Sequence, residues 1–348
     1  MNQASDTEKL PHLLGGHRPW WDIGEDRIVM SATGYIPFGC PDWGETKRQR
    51  NSLCQFCGLP NSVKIYRDGF YAGEEIPDGD HVRIFRKTLQ AMDLQGAFHT
   101  LMIFNAGSFT AMPAHVQHSV LHEVAAYESI SRIVIESRAP LITAETLTPL
   151  AKIVHGMGKQ LTVRIGVETK NDHLRLKVLR KGHSRIQLAR ATALMRELGV
   201  TSGGYALLNP APGLDPVFAV QEAIQTLEWI LDQGELGMDE AYLGPTCVSP
   251  QTSLAAHWNT GDFAPPSLWA VYDVLVASLD KYPGRIHLLR FKDEPSFIAV
   301  PSNHVPRGIP ESLKGAEGCD LEFHAMFDRF RDTMDRSVLY KVSCPCRS

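Results

Sequence analysis

No stretch of this chain approaches the roughly 18 apolar residues that a membrane-crossing helix needs. There is no G-x-G-x-x-G turn, no P-loop and no H-E-x-x-H helix, so dinucleotide, Walker-type and zincin chemistries have no signature here. Positive charge is not in excess: 35 Lys and Arg stand against 39 Asp and Glu, a formal net charge of −4. That balance argues against a surface built chiefly for phosphate backbones. Lys47, Arg48 and Arg50 form a local basic run, read as a solvated loop. Internal repeats and low-complexity segments are lacking. The first dozen residues are polar with no apolar run behind them, so no signal peptide is expected. The expected location is the cytoplasm, where clustered cysteines point to metal or redox chemistry rather than disulfides.

What is present is a set of 7 cysteines in a chain of 348 residues that is 43% hydrophobic. That length suits two domains, or one large α/β barrel with extensions. Cys40 is followed, after an interval rich in charged and polar residues, by Cys54-Gln55-Phe56-Cys57. Three thiolates in one loop suit two chemistries. One is a zinc site missing a ligand. The other is a [4Fe–4S] cluster with one iron left open for another ligand, since such clusters usually take four Cys thiolates.

Taken in order, residues 1–26 read as an irregular N-terminal arm broken by Pro11, Gly15, Gly16 and Pro19. A strand begins at Arg27. Residues 60–79 read as an insertion. Helices are expected at 80–95, 114–129, 145–157, about 171–180, 185–199, 216–234 and 267–280. Strands are expected at His99–Phe104, Arg132–Glu136, Leu161–Val167, Gly203–Leu208, Tyr242–Leu243 and Arg285–Phe291. In 216–234 the apolar stripe is Val217, Val220, Ile224, Leu227 and Leu231. Strands alternating with such helices indicate βαβ units and a parallel sheet, an α/β partial (β/α)6 barrel over 27–292. Ligands of such sheets sit at the carboxyl ends of the strands, and the cysteine loop follows the first strand. Residues 293–348 form a C-terminal extension.

Several pieces fall along this frame: Cys40…Cys54-x-x-Cys57-Gly58, Phe104-Asn105-Ala106-Gly107-Ser108-Phe109, Ile133-Val134-Ile135-Glu136-Ser137-Arg138, and Gly166-Val167-Glu168-Thr169. Lys181-Gly182, Leu207-Leu208-Asn209-Pro210, Gly244-Pro245-Thr246, Pro265-Pro266-Ser267-Leu268-Trp269, Cys319 and Cys344-x-Cys346 follow. In this order they resemble the radical S-adenosylmethionine (SAM) enzymes of the branch containing the Elongator catalytic subunit and the archaeosine synthase radical subunit, over nearly the whole chain. The thirteen residues between Cys40 and Cys54, and Asn105-Ala106 where more hydroxyl residues are expected, point to a different substrate.

The resemblance implies that Cys40, Cys54 and Cys57 hold a [4Fe–4S] cluster whose fourth iron is chelated by SAM. It also implies an electron donor such as flavodoxin or ferredoxin. Asn105, Gly107 and Ser108 would receive the methionine amine on a strand-ending turn of small residues. Glu136, Arg138, Glu168 and Asn209 end three further strands. Arg138 suits the SAM carboxylate, and Glu168 suits the ribose hydroxyls or the amine. A Glu–Arg structural salt bridge is the competing account. Phe56 packs on the cluster or adenine, or else in the core.

Cys319, Cys344 and Cys346 form a second thiol group. With His324, Cys247 or the substrate as fourth partner they suit zinc or arsenite. Two jobs are open to them: a structural staple, or a catalytic clamp in which Cys344 and Cys346 present substrate to SAM. Residues 322–335 read as a helix with Phe323, Phe327 and Phe330 on one face, bringing the three sulfurs together. Three functions compete: SAM radical chemistry on a small metabolite, including 3-amino-3-carboxypropyl transfer to thiol-bound arsenite; modification of an RNA base; and a non-enzymatic, zinc-stapled binding protein. The charge balance favours the small molecule over RNA, and no membrane partner is expected.

Overall fold

Eight strands follow chain order across one sheet in the computed structural model, which describes residues 17–22, 27–40, 54–92, 98–290, 297–304 and 318–347. The arm residues Pro11, Gly15 and Gly16 and the basic run Lys47, Arg48 and Arg50 lie outside the described residues. Strands β2 (Arg27–Tyr35), β3 (Thr100–Phe104), β4 (Arg132–Glu136), β5 (Gln160–Glu168), β6 (Thr201–Leu208) and β7 (Glu240–Pro245) are parallel neighbours. They are the six expected barrel strands. The last apolar run adds β8 (Ile286–Leu288), parallel to β7.

Part of the arm is not irregular. β1 (His17–Asp22) pairs antiparallel with β2, from His17↔Ala32 to Asp22↔Arg27. Pro19 read as a breaker because it lacks a donor, but β1 is an edge strand, where proline is tolerated. Residues 60–79 are not an insertion either: α1 (Leu59–Phe70) starts at once after the cysteine turn, with proline in its first turn, where the missing N–H costs nothing. The other helices are α2 (Asp78–Ala91), α3 (Ala114–Val124), α4 (Ala144–Gly156), α5 (Arg185–Glu197), α6 (Pro216–Leu231), α7 (Ser253–Thr260), α8 (Leu268–Leu279) and α9 (Cys319–Thr333). α7 has no counterpart in the sequence reading. The helix expected at 171–180 is a single π turn, Leu174–Val178.

The strands carry the core because both their faces are covered. In β4, Arg132 to Ile135 are all buried, as expected of a parallel strand clothed by helices. α3 buries Val116, Val120, Leu121 and Val124, the stripe its spacing predicts. In α6 the expected stripe holds except at its start: Leu227 and Leu231 are buried and Val220 and Ile224 pack against the core, but Val217 is 65% exposed, and Ala219, Ala223 and Ile230 complete the buried face. The alanines let the helix lie close against β6. There Ile230 comes so near Gly204 that a Cβ would stand 2.8 Å from its Cγ2.

The sheet curls. Arg132, first residue of β4, reaches Asp22 of β1 at 2.8 Å and Glu240 of β7 at 3.1 Å, all three at most 2% exposed. This triad closes the end of the barrel where the strands begin. Above it Arg164 of β5 lies over the Tyr242 ring, 4.2 Å from its centroid, and Tyr242 stacks on His287 at 4.8 Å. The opposite end, where the strands finish, carries Cys40 and the Cys54–Cys57 turn.

Candidate functional site

Backbone strain marks that end. Ala106 after β3, Glu168 at the end of β5 and Asn209 after β6 all have φ between +52° and +68°. Non-glycine residues rarely adopt this region, and they hold it where surrounding structure demands it. Gly107 follows Ala106, and a Cβ there would overlap the Gly39 carbonyl. The turn therefore depends on glycine to let the backbone reach Cys40.

Both described parts of the cysteine segment are tied to this end, Gly39 beside Cys40 to the Asn105 carbonyl and Gln55 to the Leu179 carbonyl. The Cys57 N–H donates to the Cys54 carbonyl at 3.1 Å, closing the C-x-x-C turn. Gln55, inside that turn, donates its N–H to the Leu179 carbonyl at 3.2 Å, and its own carbonyl accepts from Leu254 N–H at 3.4 Å. The π turn after β5 and the start of α7 thus seat the cysteine turn. Burial raises the pKa of all three thiols, Cys57 to about 12. Arg138 and Lys181 act on them in the opposite sense.

The other predicted residues divide. Asn105 is buried, and neither atom of its side-chain amide has a partner among the described residues. Its carbonyl accepts from Gly39 N–H at 2.8 Å. The Ser108 hydroxyl is buried and accepts from the Arg138 N–H at 3.2 Å, which ties the two strand ends together. Glu136 accepts from the Tyr205 hydroxyl, across the barrel interior. Asn209 donates to the Ala264 carbonyl at 3.0 Å and lines an apolar pocket of about 290 Å³ with Leu208, Phe263 and Pro265.

The salt bridge weighed for the sequence joins a different pair. Glu168 is bonded to Lys181, and the Arg138 guanidinium donates to the Lys181 carbonyl at 2.6 Å. A Cβ on Gly166 would overlap both Glu168 and Lys181, so glycine makes room for the pair. Phe56 packs on the apolar group around Val248, Leu254 and Phe263, as a core aromatic does, with its ring 5.8 Å from the Lys181 ammonium. Lys181 was visible in the sequence only as part of a Lys-Gly pair. Its position depends on the π turn, which periodicity does not reveal.

These residues fit a cysteine-held iron–sulfur cluster. Three sulfurs share one loop, cations offset their charge, and Asn105 offers a buried amide without a partner.

The second thiol group also assembles. Cys319, Cys344, Cys346 and His304 present ligand atoms within 4.8 Å of one another. Cys319 Sγ lies 3.4 Å from Cys346 Sγ and 3.1 Å from His304 Nε2, and Cys344 Sγ lies 3.3 Å from the same nitrogen. The side chain grouped with the three sulfurs is His304; among the described residues His324 and Cys247 lie outside this group. His324 is buried along α9, and the Cys247 thiol donates to the Pro245 carbonyl at 3.5 Å. Two further N–H groups point at sulfur: Trp269 Nε1 to Cys346 at 3.2 Å and Asn303 Nδ2 to Cys319 at 3.4 Å. Buried Phe323, Phe327 and Phe330 dock α9, with Phe323 edge-on to Trp269 at 4.6 Å. Burial pushes the Cys319 thiol up to about 12, while hydrogen bonds from Cys346, Cys319 and His304 bring Cys344 to about 7. Four donors of the Cys3His type are what a closed zinc centre uses.

No family model matches the chain. It is 25% identical over 336 residues to archaeosine synthase subunit beta of Thermococcus kodakarensis, covering 94% of each chain. It is 22% identical over 249 residues to archaeosine synthase subunit beta of Methanosarcina acetivorans, covering 70% of this chain and 66% of that one. Among solved structures it is similar in fold to Methanocaldococcus infernus Elp3 with its N-terminus deleted, with a TM-score of 0.52 and 15% identity. That match covers 82% of this chain and 62% of the Elp3 chain.

Proposed function

We propose that this chain is a radical SAM enzyme similar to the archaeosine synthase and Elongator branch, and that it cleaves SAM to modify a small molecule. The observation carrying this reading is the cysteine turn seated over the strand ends by the Gln55–Leu179 bond, with Arg138 and Lys181 facing it. Cys40, Cys54 and Cys57 would hold a [4Fe–4S] cluster, which supplies the electron that splits a carbon–sulfur bond of bound SAM. Arg138 is half-buried and fixed through Lys181, a setting suited to a carboxylate. The unpartnered amide of Asn105 offers donors and an acceptor to a polar ligand.

The formal charge of −4 supports a small substrate over RNA. A second reading, modification of an RNA base, draws on the similarity to archaeosine synthase subunit beta along 94% of the chain. At the C-terminal site, His304 supplies a fourth protein donor, which supports a closed zinc staple over an open arsenite clamp. The clamp keeps one argument: three sulfurs converge there, and trivalent arsenic prefers thiolates.

Anaerobic turnover with dithionite, SAM and candidate substrates, read by mass spectrometry, tests the proposal. 5′-Deoxyadenosine marks the usual cleavage, and 5′-methylthioadenosine marks 3-amino-3-carboxypropyl transfer. Reconstituted protein that is colourless and carries zinc in place of iron leaves the non-enzymatic reading.

A further inference from the structure

Lys181 sits where three parts of the site meet. Its ammonium is bonded to Glu168, with side-chain exposures of 13% and 5%. Its carbonyl accepts from Arg138 at 2.6 Å, and its N–H donates to the Arg175 carbonyl at 2.9 Å. Two residues earlier, the Leu179 carbonyl holds Gln55 of the cysteine turn. The segment is rigid by construction. Arg175 is fully buried and donates to the carbonyls of Thr169 at 2.7 Å and His183 at 3.1 Å, bracing the π turn from inside.

A buried ammonium with one carboxylate partner is a balanced pair. Three thiolates beside it upset that balance, because they add negative charge in a medium that screens poorly. The same ammonium then serves both neighbours. The ammonium also stands 5.8 Å from the ring of Phe56, which lies inside the Cys54–Cys57 turn.

Resting on the radical SAM reading, we propose that Lys181 is a positioning residue that sets the charge balance of the cysteine site. It stands between Glu168 and the Cys54–Cys57 turn, and it favours the reduced cluster. An added electron is a further negative charge, and a fixed cation beside it stabilises that state. Glu168 opposes this from the other side of the same ammonium.

The test is a dithionite redox titration of reconstituted protein, followed by electron paramagnetic resonance, on wild type, Lys181→Met, Lys181→Arg and Glu168→Gln. All retain the three cysteines, so each should load iron as wild type does. Lys181→Met should be reduced about tenfold less at a fixed potential, a shift of about 59 mV for a one-electron couple. Lys181→Arg should match wild type. Glu168→Gln should shift the potential upward, opposite in sign to Lys181→Met. Shifts of the same sign in Lys181→Met and Glu168→Gln would mean disturbed packing and overturn the proposal, as would an unchanged potential in Lys181→Met. Should Lys181→Met not fold, Lys181→Arg and Glu168→Gln decide: a shifted arginine variant or an unshifted glutamine variant overturns it. Wild-type protein that takes up no cluster sinks the functional reading itself, a result separate from any ranking of variants.

Discussion

Arg132 and Glu240, 108 positions apart in the chain, meet at 3.1 Å beneath the barrel, and Asp22 completes the contact from the edge strand. A guanidinium this deep is tolerable only because two carboxylates answer it. Asp22→Ala or Glu240→Ala should therefore cost about 3–5 kcal/mol of stability, since each leaves a buried charge short of a partner. Urea unfolding monitored by circular dichroism measures this. Replacing all three residues by apolar ones of similar size should cost far less than either single change.

Cys40→Ala, Cys54→Ala and Cys57→Ala should each lose iron and acid-labile sulfide at the loop site and all reductive SAM cleavage. Iron and sulfide assays after anaerobic reconstitution read the outcome. A triple variant that still cleaves SAM at the wild-type rate would remove the cysteine loop from the chemistry.

Arg138→Ala should weaken SAM binding on the order of tenfold, about 1.4 kcal/mol, the scale of a charge-assisted hydrogen bond. Equilibrium dialysis with the cluster in place measures it. A variant that melts lower yet binds SAM as tightly as wild type would assign Arg138 to holding the Lys181 carbonyl alone.

The C-terminal tetrad should carry one zinc per chain. His304→Ala and Cys346→Ala should lose it and lower Tm while leaving the iron–sulfur absorption unchanged. Metal analysis and thermal melts decide. If Cys344→Ala combined with Cys346→Ala keeps the wild-type Tm but makes no product, the thiols are a substrate clamp.

His183 is buried, and burial first, then Lys181, Arg138 and Arg175, depress its pKa to about 2. Unfolded, it titrates near 6.5. Between those values the unfolded chain binds a proton that the folded chain does not, so stability rises with pH through this window. The contribution is complete above about pH 6.5 and is lost as pH falls toward the folded value. Tm should fall from pH 7 to pH 5, and less steeply in His183→Asn. Parallel curves for the two proteins would refute the assignment.

The parallel strands were legible because their apolar runs alternate with helical stripes, and Arg132–Glu136 matches β4 residue for residue. β1 and α1 were not, because Pro19 read as a breaker and residues 60–79, which open on Pro60, read as an insertion. Only tertiary position shows that one lies on a sheet edge and the other in a first helical turn. The cysteine loop follows from spacing alone. His304 does not, since it stands 15 residues before Cys319 with no short motif to join them. Lys181 escaped because nothing in its neighbourhood is periodic, and its meaning lies in the carboxylate it meets across a π turn.

The bond from Gln55 to Leu179 also fixes an order of events during synthesis. Domains form from the N-terminus as the chain emerges, and the cysteines emerge early. Their seat does not exist until β5 and the turn beyond it have left the ribosome. A nascent chain stopped before Leu179 would carry all three thiols and have nowhere to place them. The seat of the cysteine turn is thus supplied by the middle of the polypeptide, long after the thiols themselves.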